Sequence, residues 1–446
     1  MNLFWQRILG RMQSTAKMEA HYAALSAEYK RYVGVEQSKE LAEYRELFRL
    51  VQSADFKEKK KTLTSRKYKD TKECHDTKKL LRLNNDKHIV LYFETLESQI
   101  LADYLALKST PQYELLGKSS EVKKSPELKR LRDFEKSKAY KNYMRFHNSY
   151  IIKNLEALRK RVSTNEFKEL NDFWADPNRW EKTPEFILEK RFIALSYNDD
   201  IKFFEKTDSS KFARMREYTL SFADPFDWNS LNASNWKSGF NYVDDKLVGN
   251  HSFTNEKQAN NAGNNVSVFA GELNIHTRQE RKLALAWDKT RGFVNRQFEY
   301  TSDVLHGTGA ISQKGGVFRA KVRFTGNNLT HAFWLTGTSQ LPHINICVCD
   351  GKSIEVGTHW KTKFEKKYTS TKITGLKFSD YYIYSLEWTP KELIWYVNNV
   401  EIFRTTDGLP EQPLFPMLNS FISSKQKGGE GTMQVDWVEV YRTRQQ

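Results

Sequence analysis

The feature that most constrains the fold of this chain is a change of sequence pattern that follows Tyr218. From there on, apolar and polar residues alternate in short segments, and glycine, asparagine and proline separate the segments. Alternation with a period of two places successive side chains on opposite faces of a strand, and short turns connect antiparallel strands. The pair Asn398-Asn399, between IWYV and VEIF, is typical of a tight hairpin turn. The pattern therefore predicts an antiparallel β-sandwich for this part of the chain.

The preceding half of the chain has a helical pattern. It is rich in lysine, glutamate and leucine, contains almost no glycine, and places apolar residues at helical spacings, as at Tyr44, Leu47 and Val51. Serine and threonine residues that can cap a helix precede several of its apolar segments. These candidate caps are Ser53, Ser125, Ser137, Ser163 and Thr183. We therefore predict a multidomain α plus β protein, with an all-α helical arm of short capped helices over residues 1–215 and the sandwich over residues 216–446.

The formal net charge of +16 comes mainly from the helical half. Lysine and arginine cluster at residues 57–61 and 66–72, and clustered cations of this kind can bind phosphate groups. Carboxylates are interleaved with the cations throughout, which is typical of solvated helix faces. Nucleic acid is therefore not an expected partner.

Cysteine content and the opening segment bear on the cellular compartment. The three cysteines, Cys74, Cys347 and Cys349, provide no disulfide framework. The opening segment MNLFWQRILGRMQSTAK is interrupted by Arg7 and Arg11 and lacks the apolar core of a secretory signal. No stretch of about 18 apolar residues occurs, so no membrane span is expected. The sequence leaves the compartment open.

The segment LPHINICVCD, residues 341–350, alternates chemically active side chains with apolar ones. Its residues His343, Asn345 and Cys347 are expected to share one face of a strand. Two imidazoles and two thiols in this region have the chemistry of a zinc site. The candidate ligands are His343, Cys347, Cys349 and His359. Their spacing is not that of a zinc knuckle, and free cysteines often serve as small buried apolar groups, so both interpretations stay open.

Five motifs, in order along residues 219–441, resemble the strands of family 16 glycoside hydrolases, the laminarinase and carrageenase group. The motifs are SFADPFDWNSLNASNW at Ser221, GGVFRAKVRF at Gly315, HAFWLTG at His331, YSLEWTPKELIWYVNNVEIF at Tyr384 and MQVDWVEVY at Met433. They are similar to the family's opening strand, central strand, tryptophan strand and closing strands. The resemblance implies that the sandwich is a concanavalin A-like jelly roll.

In that family, the strand after the tryptophan strand carries an ExDxxE motif. One glutamate attacks the anomeric carbon, the aspartate assists, and the last glutamate protonates the leaving oxygen, with the two glutamates about 5 Å apart. The resemblance places the nucleophile position at His343 and the aspartate position at Asn345. The acid position falls on Val348, or on Cys347 if the strand has no bulge. Because none of these residues is a carboxylate, the resemblance implies that the protein is not an enzyme.

The resemblance also implies where a sugar would bind. Trp334 lies where the family stacks a pyranose ring, and the motif THW at Thr358 provides His359 and Trp360 on the neighbouring strand. The expected carbohydrate-binding residues are Trp334, Trp360, His343, Asn345 and His359. Tryptophans of the closing strands are expected in the core or on the opposite side of the sandwich; these are Trp388, Trp395 and Trp437. No cofactor is expected, apart from a candidate structural calcium ion with Asp436 as one ligand.

The expected function is non-catalytic binding of a polysaccharide or cell-surface glycan by the sandwich, with other protein subunits as partners of the helical arm. One alternative is a purely structural or virion assembly protein that carries the sandwich as a surface decoration. Exposure on a virion would reconcile a glycan ligand with the absence of a recognised export signal. The other alternative is an active glycoside hydrolase in which Glu355 or Asp350 replaces a lost carboxylate.

Overall fold

The computed structural model describes residues 2–240, 249–307 and 309–444. The chain forms two compact units: Met1–Val33 together with Thr207–Gln446, and Gly34–Lys206. The first unit contains the β-sandwich and the second consists of helices, which confirms the predicted α plus β fold class. Among the helices in the described part of the chain, none has both the length and the apolar composition that a membrane crossing requires.

The α-helices of the described residues are α1 (Phe4–Ile8), α2 (Thr15–Glu36), α3 (Lys39–Gln52), α4 (Ala54–Ser65), α5 (Lys72–Asn84), α6 (Lys87–Leu96), α7 (Gln99–Lys108), α8 (Ser119–Lys124), α9 (Pro126–Lys136), α10 (Lys138–Phe146), α11 (Tyr150–Val162), α12 (Asn165–Ala175), α13 (Pro184–Ser196), α14 (Asp199–Lys206) and α15 (Ala213–Glu217). Short 3-10 helices occupy Tyr68–Asp70, Pro111–Gly117, Arg179–Lys182, Ser209–Phe212 and Gly309–Ile311.

Serine and threonine caps begin most helices of the Gly34–Lys206 unit. At the start of α4, for example, Ser53 Oγ accepts a hydrogen bond from the Phe56 backbone N–H at 3.2 Å. Each such bond satisfies one of the amide groups that a helix start leaves without a partner. Four predicted caps are confirmed: Ser53, Ser125, Ser137 and Thr183. At the remaining cluster the cap is Thr164 and not Ser163.

The strands are β1 (Tyr218–Asp224), β2 (Trp236–Ser238), β3 (Ser252–Phe253), β4 (Gln258–Asn260), β5 (Val266–Phe269), β6 (Glu272–Thr277), β7 (Lys282–Asp288), β8 (Gly292–Phe298), β9 (Tyr300–Ser302), β10 (Val304–Gly307), β11 (Gly316–Gly326), β12 (Thr330–Thr336), β13 (His343–Cys349), β14 (Ile354–Lys361), β15 (Lys366–Ile373), β16 (Tyr382–Trp388), β17 (Leu393–Val397), β18 (Val400–Thr405), β19 (Phe415–Phe421) and β20 (Gly431–Thr443).

Two main sheets make up the sandwich. One has eight strands in the order β18-β17-β16-β11-β20-β6-β5, with β1 also paired to β20, and the other has seven in the order β15-β14-β13-β12-β19-β10-β2. Neighbours within both sheets are antiparallel, as predicted. The predicted hairpin is confirmed, because Asn398 and Asn399 have φ of 45° and 63° and join β17 to β18.

The core of the sandwich lies between the two sheets. Phe318, Ala320 and Val322 alternate along β11 and belong to one buried cluster with Phe333 and Leu335 of β12. Burial of each large apolar side chain of this kind contributes about 2 kcal/mol. The cluster fixes which face of the seven-stranded sheet points inward, and it leaves the other face available for a site.

Residues 2–33 form part of the sandwich unit. The Leu3 side chain is fully buried in the sandwich core, and its backbone N–H donates to the Thr374 carbonyl at 2.8 Å. Thr15 Oγ1 accepts a hydrogen bond from Asn398 Nδ2 at 3.0 Å, at the hairpin between β17 and β18. The segment is therefore joined to the sandwich by both apolar packing and hydrogen bonds.

Helix α2 covers the outer face of β11. Glu19 forms an ion pair with Lys321 Nζ at 3.0 Å, and the Tyr22 ring lies 4.6 Å from the Arg319 guanidinium. The helical pattern predicts one arm over residues 1–215, and the structure differs by grouping residues 1–33 and 207–215 with the sandwich. Helical periodicity identifies a helix, but it does not reveal the surface against which the helix packs.

Candidate functional site

An open groove crosses the outer face of the seven-stranded sheet. Its volume is about 450 Å³, and residues of β12, β13, β14 and β19 form its floor. Phe253 of β3 and the following Glu256 line one side, and Lys366 and Tyr368 of β15 line the other. This feature is called the groove below.

A β-bulge in β13 decides which side chains enter the groove. The register of β13 against β14 shifts between Asn345 and Val348. As a result, Asn345 and Val348 both line the groove, whereas Cys347 lies in the core between the sheets. The prediction that Cys347 shares a face with His343 and Asn345 is wrong, because period-two alternation does not hold across a bulge. The family's acid position therefore falls on Val348.

The same geometry contradicts the zinc alternative. Cys347 and Cys349 are fully buried in the core, while His343 and His359 line the groove on the opposite face of the sheet. Burial raises the pKa of the Cys347 thiol and raises the pKa of Cys349 to about 12, as expected for small groups packed in an apolar core. Within the described ranges, no three His, Cys, Asp or Glu side chains converge as metal ligands do.

Three polar side chains form a neutral hydrogen-bonded chain in the groove. His343 Nε2 lies 2.5 Å from Asn345 Oδ1, and Asn345 Nδ2 lies 3.4 Å from His359 Nε2. An N–H at His343 and an accepting nitrogen at His359 satisfy both contacts. Burial lowers the pKa of His343 to about 4 and also lowers the pKa of His359, so both imidazoles are uncharged at neutral pH. This chain can bind hydroxyl groups without any carboxylate.

An aromatic row crosses the four strands β12 to β15. The Trp334 and His343 rings stack with 4.2 Å between centroids, and the His359 and Tyr368 rings stack at 5.7 Å. His343 and His359 meet edge to face at 5.5 Å, which joins the two stacks. Trp334 is only 6% exposed and donates from Nε1 to Asn419 Oδ1 at 2.8 Å, whereas Tyr368 is 71% exposed. Trp334 therefore supports His343, and Tyr368 offers the accessible aromatic surface.

Among the groove residues that the sequence does not predict, Tyr368 and Glu256 supply an exposed aromatic ring and a carboxyl group. Tyr368 pairs across strands with His359, and its place in the strand after the THW motif was the available signal. Glu256 lies in a loop, where periodicity gives no information on side-chain direction. Burial raises the pKa of Glu256 to about 7, although Gln258 Nε2 donates a hydrogen bond to its carboxylate at 2.7 Å.

Trp360 lies outside the groove, which corrects its assignment as a sugar-stacking residue. Adjacent residues of a strand point to opposite faces, so His359 enters the groove and Trp360 does not. The Trp360 ring packs against Gly408, where no side chain would fit. Of the five expected binding residues, the structure brings together Trp334, His343, Asn345 and His359.

The other tryptophans lie in the core and on the opposite side of the sandwich, as their positions in the closing strands predict. Trp388 and Trp395 are buried in the core, and Trp395 Nε1 donates to the Asn345 carbonyl at 2.8 Å from beneath the groove. Trp437 lies on the outer side of the eight-stranded sheet, where its Nε1 donates to Glu19 at 3.1 Å. The hydrogen bond from Trp395 therefore fixes the backbone of Asn345, the central residue of the groove, from the core side of the sheet.

The surroundings of Asp436 do not fit a calcium ion. Lys321 Nζ lies 2.6 Å from the Asp436 carboxylate and 3.0 Å from that of Glu19. An ammonium group between two carboxylates already neutralises the charge that a cation would need. The geometry therefore gives Asp436 a structural ion pair in place of the expected metal.

The two carboxylates considered as replacements lie outside the groove lining. Glu355 forms an ion pair with Lys372 at 3.9 Å, and Asp350 accepts the backbone N–H groups of Lys352 and Ser353 in a turn. Among the groove-lining residues that the structure describes, Glu256 is the only acidic one. Retaining hydrolysis requires a pair of carboxyl groups about 5 Å apart. The described lining of the groove contains one carboxyl group, that of Glu256.

Comparisons with known proteins point to the same part of the chain. Residues 262–439 match the sequence model of the glycosyl hydrolases of family 16. A curated relative, glucan endo-1,3-beta-glucosidase A1 of Niallia circulans, is 24% identical over 263 residues, or 50% of this chain. The match spans 38% of the length of that relative.

Two solved structures are also similar in part. The catalytic domain of an endo-1,3-beta-glucanase from Thermotoga petrophila RKU-1 is 20% identical, with a TM-score of 0.42, and the alignment covers 52% of this chain and 100% of that one. LamAcat of Zobellia galactanivorans is 17% identical, with a TM-score of 0.42, over 50% of this chain and 98% of that one. From the family match and the strand order, the C-terminal sandwich of this chain is a jelly roll like that of the family 16 glycoside hydrolases.

Proposed function

We propose that the groove binds a polysaccharide and does not cleave it. The family match, and a relative named as a glucan endo-1,3-beta-glucosidase, support a β-glucan or related polysaccharide as the ligand class. One observation supports the absence of cleavage in this proposal. The three positions that the family resemblance assigns to carboxylates hold His343, Asn345 and Val348. These side chains cannot supply the nucleophile and acid that cleave a glycosidic bond.

The proposed contacts combine ring stacking with hydrogen bonds. Tyr368 presents an exposed aromatic surface to the C–H face of a sugar, while Asn345 and the two histidines offer groups for its hydroxyls. An open groove buries limited ligand area, so the affinity of one site is expected to be weak. Several copies on one particle or assembly would compensate through avidity.

Replacing Tyr368 by alanine is expected to reduce affinity for a bound oligosaccharide about tenfold, since the main accessible ring of the groove is lost. The side chain is 71% exposed, so stability should change by no more than about 0.5 kcal/mol. Isothermal titration calorimetry with laminarin oligosaccharides, and with other polysaccharide fragments, measures the first effect. Thermal unfolding measures the second.

The matched control is Phe364→Ala, in the turn that joins β14 to β15. Phe364 is 90% exposed and does not line the groove, so this variant should bind as the unaltered chain does. Equal loss of affinity in both variants would show that ligand binds the turn and not the groove. Absence of binding to every polysaccharide, at concentrations that detect weak ligands, would favour the structural or assembly alternative.

No release of reducing ends is expected when the protein is incubated with laminarin, mixed-linkage glucan, agar or carrageenan. The physical reason is that the described groove lining holds a single carboxyl group, Glu256, where retaining hydrolysis needs two. A reducing-end assay over long incubation tests this. Release that disappears in Glu256→Gln but persists in Glu355→Gln would overturn the non-catalytic proposal and identify a relocated acid.

A further inference from the structure

One wall of the groove carries a pair of cations. Lys361 and Lys366 are directly opposite each other on β14 and β15, two residues beyond the pair formed by His359 and Tyr368. Alternation places Lys361 on the same face as His359, and Lys366 on the same face as Tyr368. Lys366 lines the groove and Lys361 adjoins that lining, so the two lysines lie beside the β14–β15 end of the aromatic row, two residues farther along the same strands.

This arrangement costs stability in the absence of an anion. Like charges that lie directly opposite in an antiparallel pair repel each other. Neither Lys361 nor Lys366 has an ion-pair partner among the described residues, whereas the nearby Lys367 and Lys372 are paired with Glu365 and Glu355. Lys367 also lines the groove, and alternation places Lys372 on the same face as Tyr368, but both are neutralised by glutamates. Lys361 and Lys366 are therefore the described lysines of this wall without such a carboxylate.

The rest of the groove does not offset this charge. Asn345 and the two histidines form an uncharged chain, and Glu256 lies on the opposite wall, beside Phe253. A ligand that stacks on Tyr368 lies beside the two lysines, which are two residues along the strands from His359 and Tyr368. An uncharged sugar there would leave both cations without a counter-charge, whereas an acidic substituent would neutralise them.

We propose that the ligand of the groove is an anionic polysaccharide, with a sulfate or carboxylate substituent of one sugar held between Lys361 and Lys366. The inference rests on the proposed function and deepens it by naming the ligand class. The shared chemistry is a negatively charged group on a sugar ring that stacks against Tyr368. Salt should weaken the charged contact and leave ring stacking largely unaffected.

The test compares three oligosaccharide probes by calorimetry: neutral β-1,3-glucan, sulfated galactan and polygalacturonate fragments. The unaltered full chain should bind at least one anionic probe about tenfold more tightly than the neutral one, and the difference should shrink between about 50 mM and about 500 mM NaCl. The double variant Lys361→Gln/Lys366→Gln should lose about fivefold in affinity for the anionic probe and none for the neutral one. The preferred anionic probe distinguishes sulfate from carboxylate.

The control variant Lys289→Gln/Lys391→Gln changes the net charge equally at two exposed sites outside the groove lining, and it should bind as the unaltered chain does. Equal affinity for neutral and anionic probes, unchanged in the double variant, would overturn the anionic ligand and leave polysaccharide binding standing. Binding of duplex DNA with the same dependence on Lys361 and Lys366 would overturn it in favour of a nucleic-acid partner. No binding of any oligosaccharide would overturn both proposals.

Discussion

Replacing Leu3 by alanine is expected to lower the unfolding free energy of the sandwich unit by about 3 kcal/mol. Leu3 is fully buried in the core between the sheets, although it lies 215 residues or more from the sandwich strands in sequence. Truncation of a buried leucine removes apolar contacts and leaves a cavity, and such changes cost about 2 to 5 kcal/mol. Urea-induced unfolding, with hydrogen exchange of the β11 and β20 amides as a probe of the sandwich, measures the loss.

The matched control for this variant is Leu9→Ala. Leu9 belongs to the same segment but is 62% exposed, so its truncation should change stability by less than about 0.5 kcal/mol. Equal stability of the two variants would show that the opening segment is not part of the sandwich core. The result also decides how the module should be produced, because a fragment that begins at residue 207 would lack Leu3, Met12 and the Thr15 hydrogen bonds.

Replacing Glu256 by glutamine is expected to stabilise the protein at pH 8, on the order of 2 kcal/mol, and to have little effect at pH 4. The folded-state pKa of Glu256 is raised from 4.5 to about 7, mainly by burial in the groove that Phe253 and Phe421 also line. Each unit of pKa shift corresponds to about 1.4 kcal/mol, and partial exposure of the residue reduces the full conversion. Unfolding free energies of both proteins across this pH range provide the measurement.

The sign follows from proton binding. Between pH 4.5 and about 7, the folded state keeps the Glu256 proton while the unfolded state releases it. The contribution of protonated Glu256 to the unfolding free energy is therefore fully present below pH 4.5, and it is lost as the pH rises through about 7. His331 and His343, whose pKa values burial lowers to about 4, act in the opposite direction below pH 6.5, but they are common to both proteins and cancel in the difference.

A suitable control is Glu411→Gln, at an exposed position. Its effect should be small and independent of pH, since an exposed carboxyl has nearly the same surroundings in the folded and unfolded states. A difference between Glu256→Gln and the unaltered protein that stays constant from pH 4 to pH 8 would contradict the buried carboxyl. It would place the side chain in solvent, outside the groove.

Features set by local chemistry could be predicted from the sequence. Asn398-Asn399 adopts the turn that its residues favour, and Ser53 and Thr183 cap the helices that follow them. Alternation identified the strands, and the family resemblance placed Trp334 and Asn345 in one groove. The turn and the helix caps depend on interactions between residues that are close in sequence. The groove could be predicted because the order of the family motifs gives the order of the strands.

Features set by distant contacts could not be predicted in this way. Cys347 was assigned to the wrong face because one inserted residue shifts the register of β13, and alternation alone carries no mark of a bulge. Glu256 reaches the groove from a loop that is bridged to Ser423, a contact without a local sequence signal. The opening segment shows only a helical pattern, while its buried position depends on Thr374 and Asn398.

The split construction of the sandwich unit has a consequence for synthesis on the ribosome. Thr15 and its hydrogen-bond partner Tyr381 are 366 residues apart, and the whole Gly34–Lys206 unit is translated between them. The helices can therefore close their own contacts early, whereas the apolar side chains of Leu3 and Met12 have no receiving surface until the last strands emerge. During that interval the side chains of Leu3 and Met12 lack the core in which they are buried in the folded protein.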